Sequence, residues 1–442
     1  MNWIEWGAKL LDWNQDNILL IAGKVECPAN PEQDRQKWRK KIEPWLSSIF
    51  QSEHLSLLLG AGFSTAVAYL AQAQSVGMDK VAFDAPHQDK VTAYAKKNAE
   101  RMGRGEPNIE DQLSTALALL SGLQIVEAEA AGKWEAAIDT VLEKFLRDLL
   151  AAEKSISAGL DNRRGPEILS GREALVSFLM SFASRAASRD RLHIFTTNYD
   201  RLVERGADIA GLRIVDRFVG SLEPEFRSSR LQVDLHYMPP GVRGEPRHLE
   251  GVVHLTKLHG SLDWRYERPR LWRSAVPFGA APGHPGIPEK PRETVMIYPN
   301  AAKDVETAAY PYADLFRDFS AALCRPNSVL VCYGYGFGDD HLNRILSDML
   351  TIPSTHLVII AWGEKPHERI RKFIEGAGHL SQITLLLGKH FGDLSELVGH
   401  YLPKPAIDPL TLRMTQLVER RGEARALANP EGEGEGEGGQ NV

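Results

Sequence analysis

Residues Leu55–Tyr69, LSLLLGAGFSTAVAY, decide how the chain is to be read. Leu57, Leu58 and Leu59 form a short apolar run, Gly60 and Gly62 bracket Ala61, and Ser64 and Thr65 precede a stretch of small residues. A short apolar run closed by glycine reads as a buried strand, and the residues behind it read as a helix leaving a tight turn. Glycine lacks Cβ, so a phosphate can come close to the backbone N–H groups at a helix start. The spacing is a shortened dinucleotide pattern without the full G-x-G-x-x-G. Alone it leaves two readings open, a phosphate cradle or a structural strand–helix turn.

The rest of the chain bounds the possibilities. Its 442 residues can bury a large core and suggest two or three domains. Hydrophobic residues at 43% and charged residues at 25% match a soluble globular protein. A net charge of −6 argues against broad electrostatic attraction to nucleic acid, so direct nucleic-acid binding is not expected. Three scattered cysteines, Cys27, Cys324 and Cys332, are too few for a four-cysteine zinc ribbon or a disulfide framework, and a reduced cytoplasmic setting is the simplest. The opening MNWIEWGAKLLDW reads as a small amphipathic helix and not as a signal peptide, and no apolar run is long enough to span a membrane.

Taken in order, residues 1–20 are expected to form a helix with Trp3, Trp6, Leu10 and Trp13 on one face, and 22–34 a loop. A polar helix over about 34–50 completes an N-terminal helical segment, 1–50. Residues 71–108 are polar and read as a loop or lid beside the glycine turn, with a helix around 88–101. From Asn108 to about 154 alanine, leucine and charge recur at helical spacing; Asn108 can cap the first helix, and Gly122 and Gly132 are expected to divide the region. With a further helix at 171–186, this makes a helical insertion at about 108–188 in a domain spanning 51–400.

Arg191–Leu202, RLHIFTTNYDRL, returns to a strand ending in polar residues, where open α/β sheets bind ligands. Asn198 and Asp200 fit either a ligand site or the cap and first turn of the next helix. Gly251–Trp264 reads as a strand and a polar turn carrying His259, in which histidine is either a cleft residue or an ordinary turn residue. Ser328–Tyr333 is an apolar strand followed by a turn carrying Gly334, Gly336, Gly338, Asp339, Asp340 and His341, with a helix over Asn343–Met349. Strand and helix then alternate to Leu387. The segment 401–442 reads as an amphipathic helix over 410–428 and a flexible acidic tail, EGEGEGEGGQNV. The fold class expected is α/β: a Rossmann-like, mostly parallel sheet with helices on both faces and an inserted helical subdomain.

Five stretches together resemble the Sir2-like family, in particular its bacterial, defence-associated NAD-hydrolase branch. Gly60-Ala61-Gly62-Phe63-Ser64 is similar to the family's nucleotide loop, and Thr197-Asn198-Tyr199-Asp200 to its asparagine–aspartate motif, with tyrosine between. Lys257–Ser261 resembles the histidine–glycine motif, Gly334-Tyr335-Gly336-Phe337-Gly338-Asp339 the late glycine turn, and Asn108–Ser114 an early helical signature. The resemblance implies that NAD is the substrate. Asn198 would orient the nicotinamide ribose or a water, Asp200 contact nicotinamide, and His259 serve as acid/base or hydrogen-bond partner. Gly60, Ala61, Gly62, Phe63, Ser64 and Thr197 would form the nucleotide loop and its surroundings. Gly334, Gly336, Phe337 and Asp339 would serve the adenine side.

The paired cysteines of the zinc module in protein-deacylating relatives are missing, so no structural zinc and no catalytic metal is expected. The relatives' proline-aspartate-phenylalanine-arginine segment has no match either. The resemblance further implies a homo-oligomer and control by a HerA-like hexameric ATPase or another defence partner, with NAD depletion as the outcome. NAD-dependent deacylation or ADP-ribosylation is one alternative, which would require an acylated or acceptor substrate. A non-enzymatic nucleotide-binding scaffold that recruits an ATPase is another, which would release no nicotinamide.

Overall fold

The computed structural model describes residues 11–101, 106–229, 234–238, 247–267, 270–281, 283–287, 295–297, 310–363, 368–377 and 380–405. Asn17–Ile21 (β1) and Lys24–Glu26 (β2) form a hairpin turning through Ala22 and Gly23, with φ of 49° and 73°. Two consecutive positive φ values are the mark of a type I′ turn, whose twist suits a hairpin. The helix expected over residues 1–20 therefore gives way by Asn17: NILLI is buried between sheet neighbours, and that burial overrides helical spacing. Residues 1–10, the candidate helix at 410–428 and the acidic tail lie outside the described residues.

Arg35–Phe50 (α1) leads into His54–Leu59 (β3), and Ala61–Leu70 (α2) leaves it. Gln88–Arg101 (α3), Ile109–Val126 (α4), Ala128–Gly159 (α5) and Gly171–Ala183 (α6) precede Leu192–Thr196 (β4), Leu202–Ala210 (α7) and Arg213–Val215 (β5). Short strands Phe218–Val219 (β6), Glu225–Phe226 (β7), His236–Tyr237 (β8) and Arg247–His248 (β9) come before Val252–Lys257 (β10). Gly260–Glu267 (β11), Arg270–Arg273 (β12) and Val295–Ile297 (β13) follow. The last units are Tyr312–Leu323 (α8), Ser328–Tyr333 (β14), Asp340–Leu350 (α9), His356–Ala361 (β15), Glu368–Ala377 (α10) and Ile383–Gly388 (β16).

The main sheet runs β2-β1-β16-β15-β14-β3-β4-β10-β5 and is parallel from β16 to β5, with the β1–β2 hairpin antiparallel at one edge. This is the expected α/β, Rossmann-like arrangement. A second, antiparallel sheet runs β13-β11-β12-β7-β6, and β8 pairs with β9 alone.

Period-two alternation gives the main sheet two buried faces. Leu55, Leu57 and Leu59 of β3 join Val329, Val331 and Ile194 in the core that contains α1, α2, α6 and α7. Leu58 joins Leu330, Cys332 and Phe195 in the core that contains α8, α9 and α10. β3 thus sits between β4 on one side and β14 on the other. The chain order reverses there, and the crevice at such a reversal is where open α/β sheets take ligands.

The helices expected as one insertion divide between two cores. α3, α4 and most of α5 form a third cluster around Trp134, whereas α6 packs on the sheet with α2 and α7. Asn108 caps α4 in a reciprocal box with Asp111, both bonds 3.0 Å. Gly122 and Gly132 do not divide the helices. They lie inside α4 and α5, and the break is at Glu127, whose φ and ψ of −151° and 81° leave the helical region. A glycine inside a helix costs about 1 kcal/mol, too little to break helices whose buried faces pack this well. Among the described residues no helix is long and apolar enough to cross a membrane.

Candidate active site

The two glycine turns interlock. The Gly60 amide donates to the Tyr333 carbonyl at 3.1 Å and the Gly62 amide to the Gly334 carbonyl at 3.0 Å. A Cβ on Gly60 would lie 2.5 Å from the Gly334 oxygen, and one on Gly62 would lie 2.7 Å from the Gly334 Cα. Gly334 itself has φ of +64°. The missing Cβ atoms therefore serve first to let two backbone loops touch. The Phe63 amide is also engaged, by the Gly60 carbonyl at 3.0 Å, so part of the helix-start amide array faces protein instead of a ligand.

Above this floor lies a cavity of about 400 Å³ at the C-terminal ends of β3, β4, β10 and β14. Asn198 and His259 both line it, as do Thr197 and Asp200. So do Gly60, Ala61, Gly62, Ser64, Gly334, Gly336 and Asp339. The Asn198 side-chain amide donates to the Gly60 carbonyl and to Ser64 Oγ, both at 2.9 Å. Its two N–H bonds are thus spent on the floor, and Oδ1 remains as its acceptor. Ser64 Oγ donates to Asp200 Oδ2 at 2.6 Å, and Asp200 Oδ1 accepts the Leu202 amide at 3.0 Å. Asp200 is therefore held at both oxygens, which suits a residue that positions Ser64 and Asn198.

His259 stands between two carboxylates. Its Nε2 is 3.1 Å from Asp339 Oδ2, and its Nδ1 is 3.8 Å from Glu110 Oε1. Asp339 also caps α9 through the His341 amide at 3.1 Å, so the helix start fixes the carboxylate that meets the imidazole. Asp339, expected on the adenine side, is thereby also a neighbour of His259. The Tyr199 hydroxyl donates to Glu110 Oε1 at 3.0 Å, and burial with the neighbouring Glu110 charge holds that phenol well above its ordinary pKa.

The helical layer supplies the opposite wall. Glu153 of α5 takes three bonds from Arg201, of 2.9, 3.2 and 2.6 Å, directly after Asp200. Arg201 also donates to the carbonyls of Val276 and Pro277. Burial pushes the Glu153 carboxyl up, and the Arg201 bonds pull against that. Lys257, 4% exposed, donates to the Asp200 carbonyl and to Glu204 Oε1. Ser75, Val76 and Met78, from the segment expected as a lid, complete the rim. Gln112 clips that segment to α4 through both polar groups of the Val81 backbone.

Two expected site residues stand apart. The Phe63 ring is fully buried against Phe178 and Tyr333, and Phe337 packs on Tyr335 and Phe373. Their rings belong to the core and line neither cavity, because a large apolar ring beside a glycine turn gains more from packing inward. Sequence reasoning gave no role to Glu110, Tyr199, Glu153, Arg201 or Lys257. Glu110 and Tyr199 lay inside quoted motifs, while Glu153 carried no local signal. A second cavity of about 780 Å³ adjoins the first across Gly62, Gly334 and Gly336, and is lined by Tyr69, Trp362 and Asp393.

No curated protein matches the chain. Residues 192–380, the stretch holding Asn198, His259 and the Gly334–Asp339 turn, match the family model described as the SIR2-like domain.

Proposed function

We propose that this protein hydrolyses NAD to nicotinamide and ADP-ribose. SIR2-like domains bind NAD and are usually NAD-dependent enzymes, which makes an NAD-related role the starting point. The observation that carries the finer reading is that Asn198 and His259 open onto one cavity, above interlocked glycine turns. In this reading the nicotinamide riboside lies in the smaller cavity and the adenosine half extends along Gly334 and Gly336 into the larger one.

The C1′–N bond breaks with its electron pair going to the pyridinium nitrogen, so nicotinamide leaves neutral without a general acid. A water held by Asn198 Oδ1 points a lone pair at C1′ and forms the new C–O bond. Its proton passes to His259, where Asp339 and Glu110 flank the ring, and then to solvent. The same carboxylates stabilise the positive charge that develops on the ribose. Asp200, Ser64 and Lys257 keep Asn198 in place. We further propose that the chain works in the cytoplasm as a homo-oligomer. Its activation within an antiphage complex, with a HerA-like ATPase as the leading partner, rests on family resemblance.

The test is chromatographic measurement of nicotinamide and ADP-ribose, using the full chain alone and with a co-purified partner. Asn198→Ala and His259→Ala are each expected to lower nicotinamide release about 10²–10⁴-fold in a chain that still unfolds cooperatively, with the midpoint lowered only by the lost buried hydrogen bonds, about 1–3 kcal/mol. Full activity in both folded variants would sink the assignment. Release that depends on an acylated peptide would point to deacylation instead.

A further inference from the structure

At the other end of the sheet, three side chains converge that the cavity does not use. Asp234, His236 and His248 each offer a ligand atom, and these atoms all lie within 4.8 Å of one another. The backbone explains the convergence. Residues two apart on an extended segment face the same side, which places Asp234 with His236. His236 and His248 are direct cross-strand partners on the β8–β9 ribbon, with ring centroids 4.4 Å apart. The Leu249 amide on the Leu235 carbonyl at 2.8 Å extends the ribbon by one pair, and the His248 amide on the Ala187 carbonyl at 3.0 Å ties it to the segment before β4.

We propose that Asp234, His236 and His248 form a binding site for a divalent transition metal of the zinc class. Two imidazole nitrogens and one carboxylate oxygen are a donor set for zinc and its late first-row neighbours, and a poor one for magnesium or calcium. Three protein ligands leave a fourth position to water.

The orientation of His248 is the second argument. Its Nδ1 is buried and lies 2.9 Å from Asp234 Oδ2, yet forms no hydrogen bond of acceptable geometry. Its Nε2 faces Asp190 Oδ1 at 3.9 Å, and Asp190 is anchored by His54 Nδ1 at 2.6 Å and Arg325 at 3.2 Å. A carboxylate behind the far nitrogen of an imidazole is the usual support of a metal-bound histidine. His254 Nε2, 3.8 Å from Asp234 Oδ1, can orient the carboxylate ligand in the same way.

The site joins the β8–β9 ribbon to residues at the start of β3 (His54), just before β4 (Asp190) and in β10 (His254). A two-stranded ribbon alone is marginal in water, and a metal would staple it to the parallel sheet. The cavity is at the opposite ends of those strands, roughly 15–20 Å away, so the metal is structural and not part of the hydrolytic chemistry.

Untagged full-length protein, stripped with a chelator, is titrated with zinc against a chromophoric competitor, and its unfolding midpoint is followed. One equivalent per chain, with a raised midpoint, is expected. His236→Gln changes an exposed residue and should fold normally; it and His248→Asn are each expected to weaken zinc at least tenfold, and the double variant to remove stoichiometric binding. No zinc uptake by the stripped wild type, equal uptake by the double variant, or magnesium binding as tight as zinc would overturn the proposal.

Discussion

The cavity floor rests on a contact between two backbone loops, whereas the helical wall is held by charged side chains. The floor contact is that of Gly60 and Gly62 with Gly334, where carbonyls and amides meet with no side chain between. The helical wall has Glu110 beside His259 and Tyr199, and Glu153 beneath Arg201. Backbone contact tolerates no added atom, because neither loop can move aside without moving its strand. Ionic contact tolerates shape changes but not the loss of one partner, because the other is left as a buried charge.

That contrast is broken most severely at Glu153. Arg201 is 6% exposed and Glu153 1%, so Glu153→Ala strands a buried guanidinium on two carbonyls. The expected cost is about 3–5 kcal/mol in denaturant unfolding. The double variant Glu153→Leu with Arg201→Met should recover most of it, since an apolar pair of similar volume removes the stranded charge. A double variant no better than the single would show that the pair's geometry, and not its charge, holds the wall. Next comes the floor. Gly60→Ala puts a Cβ 2.5 Å from one backbone atom and 2.6 Å from another, at an expected cost of about 3 kcal/mol. Gly334→Ala adds the strain of φ +64° to the same clash.

The same contrast explains what the sequence disclosed. The floor is local: LLLGAG and the VCYGYG stretch after Leu330 each state a strand, a turn and a helix start within a dozen residues. Asn108 as a helix cap was readable for the same reason, though not its reciprocal bond with Asp111. What the glycines are for was not readable, because their closest neighbours lie some 270 positions apart, as Gly60 and Gly334 do. The helical wall was harder still. Glu153 is one of several glutamates at helical spacing, and only the path of α5 over the sheet decides that it meets Arg201. Phe63 and Phe337 show the opposite case, motif members whose rings pack in the core. At Asn17–Ile21 a hydrophobic run short enough for either element was settled by its pairing with β16.

Acid tests the sheet away from the cavity, at two histidines on its strands. Burial pushes His193 well below the ordinary histidine range, with His254, Arg325 and Arg217 acting in the same sense, and takes His356 down to about 4. Both are neutral in the fold and bind a proton more readily when unfolded. The contribution of His356 is therefore complete above about pH 6.5 and is lost as pH falls toward 4, by about 3 kcal/mol, and that of His193 changes in the same direction. His356→Gln should flatten the fall of the unfolding midpoint over that interval. An unchanged slope would remove His356 from the account. Within the site, Glu110→Gln keeps an acceptor for Tyr199 and removes one of the two charges beside His259. Nicotinamide release is expected to drop about tenfold through kcat, with KM and stability little changed.

The smallest effect carries the opposite sign. Gly122 and Gly132 sit inside α4 and α5 with nothing within 4 Å of a Cβ and no positive φ. Alanine there should stabilise the helices by about 0.5–1 kcal/mol each, through a less flexible unfolded chain and a better helix former. The same glycine-to-alanine change is thus predicted to destabilise at Gly60 and to stabilise at Gly122. Equilibrium unfolding of the two variants side by side reads both signs. Ile125 and Val126, 84% and 78% exposed, follow Gly122 at the end of α4. A loss of stability for Gly122→Ala would mean that this end of the helix is packed against something in solution, and the helical wall would then have an outer contact as well as an inner one.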